Sequence, residues 1–227
     1  MSKNIVFLPC RKGSQRVPNK NTRIFAGIQG GLLRIKLETL AKSKLVDQII
    51  LSSNDEEVLR IGRDFNNPKL QVLVRPDSLC TSQTSTDELI AYVAELVQEG
   101  TILWTHVTSP FLSAETYDKM LTIYHENKGI YDSLMSVNVI RDFLWNENAP
   151  INYDRNKEKW PRTQTLQPIY EPNSGAFIAD VSIYKTMKDR IGNKVFMFET
   201  SKLESLDIDW PEDFDFAEQL YLNSYER

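Results

Sequence analysis

Short apolar runs separated by stretches of helical periodicity restrict this chain more than any other feature. Ile5-Val6-Phe7-Leu8, Ile49-Ile50-Leu51 and Ile102-Leu103-Trp104 are too brief for helices and apolar at consecutive positions, as strands covered on both faces must be. Between them the pattern changes. Leu32, Leu33, Leu37, Leu40 and Ala41 fall at helical spacing, with Arg34, Lys36 and Lys42 on other faces, and Val58, Ile61 and Phe65 predict a second helix. Asn54 with Glu57, and Ser85 with Glu88, have the spacing of capping boxes; the latter pair precedes Leu89, Ile90, Val93, Leu96 and Val97, a helix ending near Gly100. Gln71–Val74 reads as a third strand, and a further helix is expected over about Ala114–Asn127. Strands alternating with helices build βαβ units. The expected fold class is therefore α/β, a Rossmann-like three-layer αβα sheet, mainly parallel, with ligands at the carboxyl ends of its strands.

Regularity breaks after the strand expected at Ser133–Ile140. A polar stretch from about Asn146 to Asn173 carries four prolines and little periodicity, yet includes Tyr153, Trp160, Leu166, Ile169 and Tyr170, too much apolar surface for disorder. It predicts a protruding arm, about 141–175, that packs on a substrate or another subunit. Strand character resumes at Gly175–Ala179 and at Val195–Phe198, and a last helix carries Phe216, Ala217, Leu220 and Tyr221. With 227 residues and 41% hydrophobic content, one domain over 1–227 accommodates all of this. The two cysteines provide no disulfide framework, and Ile5–Leu8 is too short for a signal-peptide core or a membrane span, so a cytoplasmic protein with no membrane partner is expected. A net charge of -4 argues against a nucleic-acid partner, and two histidines against a His-rich zinc site.

Charge is nevertheless segregated. Arg11, Lys12, Arg16, Lys20 and Arg23 crowd the segment after the first strand, with no Asp or Glu before Glu38. Like charges on one loop repel unless an anion shares them, and Gly13 with Ser14 lets backbone N–H groups turn toward it as a nest. A polyphosphate is the natural candidate. Near the other end, Asp207 and Asp209 stand two apart, so on an extended strand both carboxylates leave the same face. Two such anions need a cation, and Mg²⁺ bridging carboxylate and phosphate accounts for loop and pair together. Solvated acids ahead of a last helix beginning at Pro211 are the alternative.

Arg11–Asn21 resembles the signature Arg-x-Gly-Ser-Lys-Arg-x-Pro-x-Lys-Asn of the CMP-sialic acid synthetases, or acylneuraminate cytidylyltransferases. Five more segments follow in that family's order: Arg75–Leu79, Thr84–Thr86, His106–Pro110, Asn173–Phe177 and Ser205–Asp209. The resemblance implies transfer of CMP from CTP to the anomeric hydroxyl of a sialic acid or related nonulosonic keto-sugar acid, with release of pyrophosphate. By the same resemblance Arg11, Lys20 and Asp209 are catalytic. Arg11, Gly13, Ser14, Arg16, Lys20, Asn21, Arg75 and Thr86 bind nucleotide. His106, Arg162, Gln164, Asn173, Phe177, Phe196 and Phe198 bind the acceptor, with Arg162 on its carboxylate and the last two phenylalanines lent between the subunits of a homodimer. Asp207 and Asp209 hold Mg²⁺.

Three positions depart from the family pattern. Gln15 replaces a Lys, His106 a Gln, and Trp210 a Thr that often caps the last helix. Neutral imidazole presents one donor and one acceptor and gains charge near pH 6.5, so His106 predicts an altered acceptor. Activation of another sugar such as Kdo, or a nucleotide-binding module with impaired catalysis, are the competing readings.

Overall fold

The computed structural model describes residues 2–225. β1 (Asn4–Pro9), β2 (Gln48–Ser53), β3 (Leu70–Val74), β4 (Thr101–Trp104), β5 (Ser133–Ile140), β6 (Ile169–Asp180) and β7 (Val195–Glu199) form one sheet in the order β3-β2-β1-β4-β6-β5-β7. Neighbours are parallel except β6, which is antiparallel to both β4 and β5. The helices are α1 (Gly31–Lys42), α2 (Glu56–Phe65), α3 (Thr86–Leu96), α4 (Ala114–Glu126), α5 (Val181–Thr186) and α6 (Pro211–Tyr225).

The doubly apolar strands explain the layers. On β1, Val6 and Leu8 join residues of α1, α2, α4 and α6 in one core, whereas Ile5 and Phe7 join α3 and α5 in another core across the sheet. Successive side chains of a strand face opposite ways, so each central strand needs an apolar residue at every position. The chain winds outward from β1 to β2 and β3, then returns to β4 on β1's other side. That reversal opens a crevice beyond Pro9 and Trp104, where α/β sheets bind ligands.

Local signals hold with adjustments. Ser85 and Glu88 form the full capping box, with the Glu88 N–H donating to Ser85 Oγ at 3.1 Å and the Ser85 N–H to Glu88 Oε2 at 2.7 Å. The cap of α2 is Asp55 rather than Asn54: Asp55 accepts the Glu57 N–H at 3.0 Å, while Asn54 accepts the Lys12 N–H at 3.0 Å and so tethers the basic loop. Lys36, which the periodicity turns outward, is 1% exposed. Its Nζ donates to Ser109 O at 2.7 Å and Tyr117 Oη at 2.6 Å, joining α1 to α4 and to the turn after β4. The Ser85 helix ends at Leu96, short of Gly100.

β6 starts at Ile169, inside the stretch expected to be arm, because Glu171-Pro172-Asn173 interrupts the apolar alternation that marks the rest of the strand. Ile140 pairs with Ile169, so residues 141–168 leave the β5–β6 hairpin and return to it at one point. Buried Asn152 ties this arm together by donating to Asp142 O and Gln167 O at 2.9 and 3.1 Å and accepting from the Leu144 N–H at 3.2 Å. Phe143 packs edge-on against both Tyr153 and Trp160 at 5.3 Å.

Candidate active site

The loop between β1 and α1 closes over the crevice because its backbone is turned back repeatedly. Gly13 has φ +85°, and a Cβ on Gly31, φ +50°, would lie 1.9 Å from Arg23 O, so the end of the loop rests directly on the start of α1. Buried Val17 anchors the middle. Arg11, Ser14, Arg16, Lys20 and Asn21 thereby line a cleft of about 260 Å³ together with Gln15, His106 and Asp209.

The loop meets Asp209 across 189 residues of sequence, Lys20 Nζ lying 3.2 Å from Asp209 Oδ1. Arg16 Nη2 reaches the same oxygen at 3.1 Å, and Lys20 also donates to Ile208 O at 2.6 Å. Trp210 lies beneath the Arg16 guanidinium, 4.8 Å from ring centre to carbon. The helix start that a Thr would cap is served by Asp213, whose carboxylate accepts the Asp209 and Trp210 N–H groups at 3.0 and 2.8 Å. Ile208 is wholly buried between Asp207 and Asp209, and its N–H donates to Thr108 O at 2.9 Å.

Asp207 Oδ1 is buried and accepts no hydrogen bond from any described residue. An anionic oxygen left this way is costly unless a cation joins it. Among the described residues no cluster of three or more His, Cys, Asp or Glu could cage a metal. The residues that could hold a metal here are Asp207 and Asp209, an oxygen donor set of the kind Mg²⁺ takes when it keeps several waters and shares phosphate oxygens. Burial lowers the Lys36 ammonium to about 7, opposed by the charge of Asp207.

A neighbouring chamber of about 270 Å³ adjoins the first through Pro9, Arg11 and His106. Arg75, Thr84 and Thr86 line its β3–α3 end, and Trp104 and Arg190 line the other. Arg11 Nη1 donates to Thr81 O at 3.1 Å; Arg75 is buried, with Nε against Cys80 Sγ at 3.1 Å. His106 has both ring nitrogens engaged. Indole N–H only donates, so the 3.1 Å contact from Trp104 Nε1 leaves Nε2 unprotonated, and Nδ1–H donates to Ser174 O at 3.2 Å. Burial pushes the imidazole down to about 4, the Ser174 carbonyl opposing, which corrects the expectation of a charge change near pH 6.5.

The other expected acceptor residues are scattered. Phe177 lies under the Arg190 guanidinium at 3.6 Å. Asn173 accepts from Ser136 Oγ and the Gly175 N–H and donates to Asn138 and Thr200, so its amide ties β5, β6 and the chain after β7 and keeps nothing for a ligand. That corrects the expectation of direct contact. Arg162 and Gln164 are exposed on the arm and line neither chamber. Phe198 is buried in the core, and Phe196 packs edge-on against Tyr131 at 5.2 Å. Arg190 and Lys36 are absent from the sequence-based site: Arg190 sits in a mixed-charge loop with no motif, and Lys36 has the pattern of any helix-surface lysine.

The pseudaminic acid cytidylyltransferase of Campylobacter jejuni is 27% identical over 99% of this chain and 98% of its own length. The CMP-N,N'-diacetyllegionaminic acid synthase of Legionella pneumophila is 28% identical, over 95% of each. The N-acylneuraminate cytidylyltransferase of Streptococcus agalactiae is 25% identical over 93% of this chain, which spans 52% of that relative. In fold, the chain resembles a CMP:2-keto-3-deoxy-manno-octonic acid synthetase solved with CTP, with a TM-score of 0.69 at 14% identity, over 98% of this chain and 100% of that one. A family model described as cytidylyltransferase matches residues 5–226, and the chain belongs to that family.

Proposed function

We propose that the protein transfers CMP from CTP to the anomeric hydroxyl of a nonulosonic keto-sugar acid. The convergence of Arg16 and Lys20 on Asp209 carries this reading, because a loop that binds polyphosphate and a carboxylate that shares a metal with it need to lie in one cleft. The acceptor oxygen attacks the α-phosphorus in line, the bond to the β-phosphate breaks, and pyrophosphate leaves with the electron pair as the hydroxyl proton passes to solvent. Arg11, Ser14 and Lys20 hold the triphosphate, while Arg75 and Thr86 hold the nucleoside in the adjoining chamber. Asp207 and Asp209 would hold Mg²⁺, which would neutralise phosphate charge there. With nucleotide bound, Arg16 and Lys20 exchange their carboxylate for phosphate and stabilise negative charge on the leaving group.

The sequence relatives support a sialic-acid-like acceptor, since each is named for a nonulosonic acid. The arm supports a homodimer: Trp145, Ile151 and Trp160 are 41–64% exposed along it. Soluble substrates and the absence, among the described residues, of a helix able to cross a membrane favour work in the cytoplasm. The test is incubation with each of the four nucleoside triphosphates, Mg²⁺ and a panel including pseudaminic acid, N-acetylneuraminate and Kdo, following pyrophosphate. Release with CTP and a nonulosonic acid is expected; release with Kdo alone, or with none, would reject the assignment.

A further inference from the structure

Arg190 brings to the neighbouring chamber a positive charge that the protein itself leaves unmatched. Its position is set by a pinned loop. The Asp189 carboxylate accepts the N–H groups of Arg190 and Ile191 at 2.6 and 3.3 Å, the Gly192 N–H donates to Ser133 Oγ at 2.8 Å, and Asp132 accepts those of Asn193 and Lys194 at 2.9 and 3.1 Å. Trp104 pairs with Phe177 in the β4–β6 ladder, and the guanidinium lies 3.6 Å from the Phe177 ring centre and 5.5 Å from that of Trp104. Stacking uses the face of a guanidinium and leaves its N–H edge free.

No described residue accepts a hydrogen bond from that edge. Burial disfavours its charge, Tyr184 beside it is held neutral by its own burial, and the Asp189 carboxylate compensates only at range. The other cations lining the chamber are Arg11 and Arg75, no Asp or Glu lines it, and His106 is held neutral beside it. A half-buried cation with unused donors favours an anion that the ligand brings. The triphosphate has its own cations in the first chamber, and Arg75 and Thr86 occupy the far end of the adjoining one. What remains for the β4–β6 end is an anionic group of the second substrate.

We infer that Arg190 receives the carboxylate of the acceptor sugar acid through a two-point hydrogen bond, as its specificity-determining residue. The inference rests on the CMP-transfer reading. Arg162, exposed on the arm, is the competing guanidinium.

Steady-state kinetics on Arg190→Met, Arg190→Lys and Arg162→Met, with direct CTP titration in the absence of acceptor, test it. Met keeps an unbranched apolar stem against Phe177; Lys keeps the charge without the fork and serves should the Met variant fold poorly. For Arg190→Met the KM for pseudaminic acid or N-acetylneuraminate should rise about 10- to 100-fold while CTP affinity stays within about twofold, and Arg190→Lys should fall between. The methyl ester of the same acid should separate wild type from Arg190→Met by less than about threefold. Loss of CTP affinity in the Arg190 variants would reassign the residue to the nucleotide. A KM effect in Arg162→Met with none in Arg190→Met would move the carboxylate to the arm. Wild-type protein that turns over no keto acid fails before any variant is compared and overturns the transfer reading with it.

Discussion

At the scale of single residues the site is organised by what each polar atom has left to give. His106 has given both nitrogens to Trp104 and Ser174, which makes it a neutral spacer shared by two chambers. Its folded pKa, about 4, lies below the roughly 6.5 of an unfolded histidine. Between those values the unfolded chain binds the proton and the folded chain does not, so stability is complete above about 6.5 and is lost as pH falls toward 4, by on the order of 2 kcal/mol given the ring's partial exposure. His125 is lowered as well and contributes in the same direction. Glutamine at 106 can accept from Trp104 and donate to Ser174 without titrating. Urea unfolding of His106→Gln should therefore lose less stability between pH 7 and pH 4.5 than wild type; parallel profiles would mean that the imidazole is solvated. Asp209 is the opposite case, a carboxylate whose partners are provisional. Asp209→Asn should lower kcat about 100-fold or more with thermal stability little changed, since its ion pairs with Arg16 and Lys20 are partly exposed. Near-normal turnover would remove Asp209 from the metal and catalytic roles.

The elements show why some of this was legible in the sequence and some was not. Continuous apolar runs and the Ser85 box are local signals, and they named β1, β2, β4 and the start of α3. Asn54 and Asp55 offer the same capping chemistry one residue apart, and the choice was made by tertiary contact: Asn54 is taken by the Lys12 N–H and by Asp77. Lys36 has the pattern of a solvated residue because helical spacing cannot reveal that the turn after β4 drops a carbonyl onto α1. Arg190 was hidden because nothing local marks a residue whose partners, Trp104 and Phe177, come from other strands. Asp207 and Asp209 could be paired with the basic loop only through charge logic and family resemblance, since the contact itself spans most of the chain. The dependence of the loop on α1 has a measurable consequence. Gly31→Ala would drive a Cβ into Arg23 O in a left-handed backbone, costing about 2–4 kcal/mol and displacing the loop, so CTP affinity should fall with stability. Gly13→Ala, with no atom within 4 Å of the new Cβ, should cost only the left-handed strain of about 1–2 kcal/mol. Equal effects on urea stability from the two variants would show that the loop does not rest on the helix.

For the whole molecule, the question is what the arm is for. A loop of 28 residues leaving and re-entering one hairpin gains little from the parent core, yet it carries an internal anchor in Asn152 and a cluster of Phe143, Tyr153 and Trp160. Such a structure is stiff enough to present a surface, and the surface it presents includes Ile151 at 56% and Trp160 at 64% exposure. Large apolar side chains left in water on a projecting arm favour association, and a second copy of the chain would bury the arms of both through one two-fold interface. Sedimentation at micromolar concentration should therefore give twice 26.2 kDa. Replacing Ile151 and Trp160 together by Glu should halve the observed mass while leaving CTP binding intact, because neither residue lines a nucleotide chamber. A wild-type monomer would mean that the arm instead closes over its own acceptor, and the double variant would then raise the acceptor KM without any change in mass.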